Sequence, residues 1–525
     1  MRKTRLINLA VLVCFLLCIV ACAAFAGVGD PGGTKTGTAQ DIVGVTAGAP
    51  TAHDLKVAQK TEPFASKVAD VVGQNKVAMN LVWLLVTGFL VMFMQTGFAL
   101  LETGLTRAKN SAHTMLMNMS IYGIGVIGFF ICGFALMYGN AGSNGSLGGT
   151  PSLNGGHELI LTILGKKLGL MGTAGFFLKG DYYDVAVAGL FLFQMVFMDT
   201  AATIPTGAMA ERWKFTSFIV YGFFMSMFLY PMFGNWSWGG GWLSQLGTNC
   251  GLGNGYVDFA GSGVVHAVGG LCALAGATVL GPRIGKFNKD GSVNPIPGHH
   301  IPMAITGALI LGFGWFGFNP GSMMGASGSG NLRIAIVAAN TMIASATGMI
   351  AAMIYMYFKT QKPDATMCAN GFLAGLVAIT APCAFVSPSG AFIIGAISGI
   401  LVCAAVGWID KMHVDDPVGA VAVHAFNGLW GVISVGLFAD GSFGGGTGNI
   451  AHNVVGLFNG GGFSQLAAQL IGCLTLVVWA FGLSWVFFKV LNAVMGLRVS
   501  KEVEIGGLDL PETGVLAYND FELKR

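Results

Sequence analysis

The apolar positions of this chain gather into long runs, separated by short polar stretches. Eleven runs are long enough to cross a ~30 Å hydrocarbon core as helices, which takes ~20 apolar residues each. They lie at about 79–104, 112–139, 183–211, 214–233, 258–281, 300–320, 333–358, 368–386, 389–410, 417–439 and 464–495. The pattern predicts an all-α integral membrane protein with 11 transmembrane helices. Basic residues fall after every second run: Arg107 and Lys109, Arg212 and Lys214, Arg283, Lys286 and Lys289, Lys359 and Lys362, then Lys411. The opposite short loops carry almost none, with Arg333 the main exception. Cytoplasmic loops hold the excess of Lys and Arg, so the amino terminus is expected outside and the carboxy terminus in the cytoplasm of a cell inner (plasma) membrane.

Residues 1–26 read as a signal peptide: Arg2, Lys3 and Arg5 precede an apolar run from Leu9 to Val20, and Ala24-Phe25-Ala26 suits cleavage before Gly27. Two alternatives stay open, acylation at Cys22 in a lipoprotein-like box and retention as an uncleaved helix. Residues 27–75 lack sustained periodicity and suggest a loose extracytoplasmic segment. The membrane domain then covers 76–495 and a cytoplasmic tail 496–525.

Composition agrees: of 525 residues, 54% are hydrophobic and only 10% charged, where soluble domains carry about 25% charge. A net charge of +3 gives no reason to expect nucleic acid or acidic substrates. Ten cysteines are scattered without metal-ligand spacing, so packing explains most of them, and a Cys250–Cys383 bridge is left open. No metal or cofactor is expected. Glycine is also used within the spans, as in Gly263, Gly269, Gly270 and Gly276 and the series Gly307, Gly312, Gly314 and Gly317, where small residues let helices approach.

One pattern occurs twice. Asp258-Phe-Ala-Gly-Ser-Gly-Val-Val-His266-Ala-Val-Gly-Gly270 parallels Asp416-Pro-Val-Gly-Ala-Val-Ala-Val-His424-Ala-Phe-Asn-Gly428. The first opens the fifth span from outside and the second opens the tenth from the cytoplasm. Five spans apart, they imply two inverted five-helix repeats plus a final helix, an arrangement that places the working site near the midplane. Eight residues at 1.5 Å each carry both histidines ~12 Å inward. Asp258 and Asp416 stand where carboxylates cap free backbone amides. Histidines mirrored at such depth point to function rather than packing.

These stretches, together with Gln95-Thr-Gly-Phe-Ala-Leu-Leu-Glu102-Thr-Gly-Leu-Thr-Arg-Ala-Lys-Asn110, Gly207-Ala-Met-Ala-Glu211-Arg212, Trp238-Gly-Gly-Gly-Trp242, Gly314-Trp-Phe-Gly-Phe-Asn319 and Asp415-Asp-Pro…His424, resemble the ammonium transporter (Amt) branch of the Amt/Rh family over residues 79–520. The resemblance implies a homotrimer with one pore per protomer. It assigns Trp238 and Ser322, with Phe197 beside them, to an outer recruitment site, and Phe197 and Phe318 to a stacked gate. It makes His266 and His424 the pore-lining pair, packs Trp315 against the pore wall, and gives Asp258 a supporting place at the entrance. An aromatic face attracts a small cation by ~0.5–2 kcal/mol. A greasy constriction followed by neutral imidazoles then favours ammonia over any ion, and potassium has no proton to lose.

The tail stretch Glu502-Val-Glu504-Ile-Gly-Gly-Leu508-Asp509-Leu-Pro-Glu-Thr-Gly514-Val-Leu-Ala-Tyr518 resembles the family's regulatory tail, which receives the PII signalling protein, although Thr513 replaces the usual histidine. A solvated charged tail is the plainer alternative. Asp199 departs from the pattern: it lies mid-span, ~200° around the helix from Phe197. It is expected to pair with a polar group or be protonated, in a structural or subunit-contact role. Loops 140–182 and 239–257 look expanded. His299 and His300 are expected in solvent, and His113 has no assigned role. The competing function is an ammonium sensor on the same fold. An enzyme is disfavoured because neither a nucleophile triad nor a metal cluster can be traced.

Overall fold

The computed structural model describes residues 30–519 except 34–35, 45–47, 140–146, 148–155 and 446–449. The expected signal segment and Cys22 lie outside the described residues. The helices are α1 (Pro63–Leu105), α2 (Ala108–Tyr138), α3 (Val185–Ala208), α4 (Phe215–Ser237), α5 (Ser262–Leu280), α6 (Ile301–Met323), α7 (Asn331–Thr360), α8 (Ala365–Ile379), α9 (Pro388–Lys411), α10 (Val421–Phe438) and α11 (Ser464–Met495). Ten of these are long and apolar enough to cross a membrane, and the chain is a multi-pass membrane protein. The exception is α8.

The run at 368–386 predicts a full span, yet α8 stops at Ile379 after 15 residues. Pro382 bars helical geometry at the residue before it. The freed backbone is taken up by the approach to α5: Ser262 Oγ donates to the Val377 carbonyl at 2.6 Å and accepts from Ala381 N at 2.6 Å. Phe259 N and Ala260 N donate to the Ala381 and Thr380 carbonyls. Irregular backbone at such depth is tolerated where protein satisfies it.

α1 corrects the expectation in the other direction. It runs for 43 residues, ~64 Å at 1.5 Å each, about twice the hydrocarbon thickness. The segment before the first span is accordingly not loose: Ala52–Thr61 is a helix whose Thr51 and Asp54 form a capping box. Ala39 N reaches back to Asp70 at 2.9 Å. Nor is the chain wholly helical. The expanded loop before α3 contains an antiparallel hairpin, β1 (Glu158–Ile163) and β2 (Lys166–Gly172). It is bonded to the end of α4 through Trp236 Nε1 and the Leu170 carbonyl, 2.8 Å apart. Cys250 is exposed and Cys383 buried, both as free thiols.

α5 packs between α3 and α10, α1 lies along α6, and α7 rests on α8 and α9. α5 and α10 come into close backbone contact in the region of the paired histidines. A Cβ on Gly270 would stand 2.2 Å from Ala425 N, and one on Gly428 would stand 2.6 Å from the Ser262 carbonyl. The glycine four residues after each histidine is what lets these two helices touch.

At the end of the bundle that carries the tail, a buried ion cluster fixes the chain leading into α10. Arg283 meets Glu211 and Asp415 at 2.8 Å each, Arg107 also pairs with Glu211, and Arg212 donates to the Asp415 carbonyl at 2.7 Å. Burial alone would raise the Asp415 carboxyl, but Arg212 and Arg283 hold it well below the usual carboxylate range. The tail docks on this end. Ile284 N donates to Glu504, His113 N to Asp509 and Phe215 N to Glu512, at 2.7 to 3.0 Å. Tyr518 meets His299 Nε2 at 2.8 Å, so His299 is engaged rather than solvated.

Candidate functional site

Asp258 and Asp416 build the two helix starts on which the histidines sit. The Asp258 carboxylate accepts from Gly261, Gly263 and Val264 N, each at 2.9 Å. The Asp416 carboxylate accepts from Gly419, Ala420 and Val421 N at 2.7 to 3.1 Å. Both therefore cap, as their positions suggest. Each is followed three residues later by a glycine in the left-handed region, Gly261 (φ 112°) and Gly419 (φ 80°), which a side chain would disfavour. Each histidine then lies in a π-helical turn, His266 in Ser262–Ala267 and His424 in Val421–Phe426. Such wide turns recur at functional sites because they re-aim side chains.

The rings assemble into one column. Trp238, held by a 2.7 Å bond from its Nε1 to the Asp258 carbonyl, lies edge-on to Phe197 at 6.2 Å between centroids. Phe197 stacks on Phe318 at 4.0 Å and 24°, and Phe318 stacks on His266 at 5.3 Å. His266 is flanked by Trp315 at 5.0 Å and by His424 at 5.2 Å. Trp315 is fixed by donation from Nε1 to Thr380 Oγ1 at 2.8 Å. Phe197, Phe318, His266, His424 and Trp315 are all buried. Ser322 stands one turn beyond Phe318 and donates to its carbonyl at 2.8 Å.

The two Nδ1 atoms of His266 and His424 are 3.2 Å apart. Two lone pairs or two protons there would repel, so one ring donates and the other accepts. In a neutral pair the donor ring keeps a bare Nε2 and the acceptor ring an Nε2–H. The pair thus offers one acceptor and one donor along the column; they exchange when the bare Nε2 gains a proton, the shared proton crosses between the Nδ1 atoms and the other Nε2 loses its proton. Beyond His424, Phe98, Glu102, Ile204, Leu373 and Val418 close a cavity with about 10 Å³ open to water, near the size of a single molecule.

A profile of the Ammonium Transporter Family matches residues 82–518. The chain belongs to that family. Ammonium transporter Amt2 of Archaeoglobus fulgidus is 45% identical over 445 residues, covering 84% of this chain and 89% of the relative. Ammonium transporter Amt1 of Haloferax mediterranei is 37% identical over 459 residues, covering 84% and 80%. Among solved structures, one described as a Sensor Amt Protein is 37% identical with a TM-score of 0.71, covering 84% of this chain and 99% of that one. The crystal structure of Candida albicans Mep2 is 26% identical with a TM-score of 0.67, covering 81% and 87%.

Membership covers the length over which the motifs run, and the motif residues meet in space. Sequence reasoning missed Phe98, whose ring lies 6.2 Å from His424. Its spacing of four from Glu102 places both on one face of α1, which was the available signal. Asp199 lies deep inside the protein. It is 2% exposed within the chain, with its carboxyl facing Gly125 of α2. Its Oδ1 has no hydrogen-bond partner among the described residues.

Proposed function

We propose that the protein recruits ammonium at Trp238 and Ser322, removes a proton beneath the Phe197–Phe318 stack, and conducts ammonia past His266 and His424, with the proton crossing separately. The observation that carries this is the unbroken ring column ending in a histidine pair that shares a proton across 3.2 Å. A 4.0 Å stack leaves no gap for a hydrated ion, so the phenylalanines open briefly for each passage. Past them, the buried aromatic surroundings of the two neutral imidazoles disfavour any cation, while ammonia can donate to the bare nitrogen and accept from the Nε2–H.

The architecture we infer is eleven spans in two inverted five-helix repeats plus a final helix, with the amino terminus outside and the tail in the cytoplasm. The matching Asp-to-His turns and the reciprocal glycine contacts of α5 and α10 support the repeat. Residues 1–26 are read as a signal peptide, 27–75 as extracytoplasmic, 76–495 as the transporter domain and 496–525 as the regulatory tail. A homotrimer and docking of a PII-type protein on the tail complete the proposal.

A second reading, an ammonium sensor with little transport, is favoured by one observation, the likeness to the Sensor Amt Protein structure across 99% of that chain. Purified protein in liposomes separates the two. Transport predicts an ammonium-evoked current and methylammonium uptake; silence in both, in vesicles where another family transporter works, favours sensing.

A further inference from the structure

Glu102 is 2% exposed near the inner end of α1, and no Lys, Arg or His pairs with it among the described residues. Its carboxyl is held by neutral groups. Asn118 Nδ2 donates at 2.7 Å, and Thr206 Oγ1 lies 2.8 and 2.7 Å from the two oxygens. Asn118 cannot turn over, because its Oδ1 accepts from Thr203 Oγ1 at 3.0 Å. Gln95 Nε2 completes the array at 3.0 Å from Thr203 Oγ1.

Thr206 decides what this array can do. Its hydroxyl has one proton and two claimants, Glu102 and the Thr203 carbonyl, which is also in bonding contact. When Glu102 is ionised, Thr206 donates to it. When Glu102 is protonated, the acid donates to Thr206, and Thr206 turns its proton to the carbonyl. Every partner stays satisfied in both states without any heavy atom moving. Burying a carboxyl costs several kcal/mol, and a glutamine of the same shape would tie the three helices equally well. What the acid adds is a proton that can be gained and lost. Glu102 and His424 line the same water-sized cavity.

We propose that Glu102 receives the proton that ammonium leaves at the histidine pair and releases it toward the inner end of the molecule. This rests on the conduction reading above. An ammonium N–H bond breaks, its electrons stay on nitrogen, and the proton enters the bare Nε2 of His266. His266 passes its Nδ1 proton to His424, which gives up its Nε2 proton to a water in the cavity. That water hands a proton to the Glu102 carboxylate, which becomes a carboxylic acid and later returns the proton to solvent. Charge and atoms balance as ammonium becoming ammonia plus a proton.

The test uses the full chain in liposomes, with ammonium-evoked current and internal alkalinisation recorded on the same vesicles. Glu102→Gln should lower the ratio of current to ammonia flux by about tenfold or more. Glu102→Asp should recover part of it. Independently of any variant's folding, the wild type should show a carboxylic-acid C=O band in its ammonium-minus-buffer infrared difference spectrum, absent from E102Q. A wild-type ratio in E102Q, or no such band in the wild type, overturns the role of Glu102 while leaving conduction intact. A wild type with neither current nor alkalinisation refutes the conduction reading itself.

Discussion

Asp258 gives a sharp test of how the site is built, because its contribution can be worked from three contacts. Its two oxygens accept from three backbone amides at 2.9 Å, at a helix start that is buried. Asp258→Ala leaves all three donors without a partner. An orphaned buried donor costs about 1–3 kcal/mol, so the loss of all three should cost at least about 3 kcal/mol and at most about 9 kcal/mol. Asparagine keeps one accepting oxygen and should lose about half of that. Asp416 makes the same number of bonds, so Asp416→Ala should cost a similar amount. The assay is unfolding from mild-detergent micelles by titrated SDS, followed by tryptophan fluorescence, with ammonium uptake measured on the surviving fraction. If D258A unfolds within about 1 kcal/mol of the wild type, capping is not what the aspartate does, and a direct contact with the passing cation must be sought instead.

Three further outcomes follow from the packing. Asp415→Asn breaks a buried ion cluster and should destabilise by about 3–5 kcal/mol at pH 7 in the same unfolding assay. Because Asp415 titrates below the ordinary carboxylate range when folded, its contribution is complete above the unfolded value near 3.9. It fades as pH falls through the folded one. The gap between wild type and D415N should therefore stay constant from pH 7 to about 5 and close only in stronger acid; a gap that closes near pH 6 contradicts the assignment. Gly270→Val places side-chain atoms where a Cβ already comes within 2.2 Å of backbone, so little folded protein should elute on size exclusion, and normal yield with full uptake would be inconsistent with the α5–α10 contact. Asp199→Asn replaces a buried carboxyl with an unpartnered oxygen by a neutral amide of the same shape and should leave stability unchanged or raise it by about 1 kcal/mol; a loss of several would reveal an ion pair.

Much of this was legible in the chain because membrane physics is one-dimensional along each span. Apolar run length marks where helices lie, and the doubled Asp-to-His interval identifies the residues that meet at 3.2 Å. What escaped depends on contacts between distant spans. Glu102 bonds Thr206 across 104 positions and Asn118 across 16, and no periodicity within one helix reveals either. The break after Ile379 hides inside an apolar run, since its backbone is satisfied by Ser262, 115 residues earlier. The extension of α1 back to Pro63 escaped because a polar, charged sequence outside the membrane carries no hydropathy signal. The contacts that dock the tail were equally silent: nothing in the sequence shows that Asp509 and Glu512 accept from the His113 and Phe215 amides.

The central claim is that the ring column ending in His266 and His424 is the path for the transported species. The most direct measurement is the ammonium-evoked current, with potassium as competitor, in liposomes carrying the wild type or the double variant His266→Ala/His424→Ala. The account predicts a current in the wild type that potassium neither carries nor blocks, and loss of that selective ammonium current in the double variant. Equal current and equal selectivity in the two proteins would contradict it.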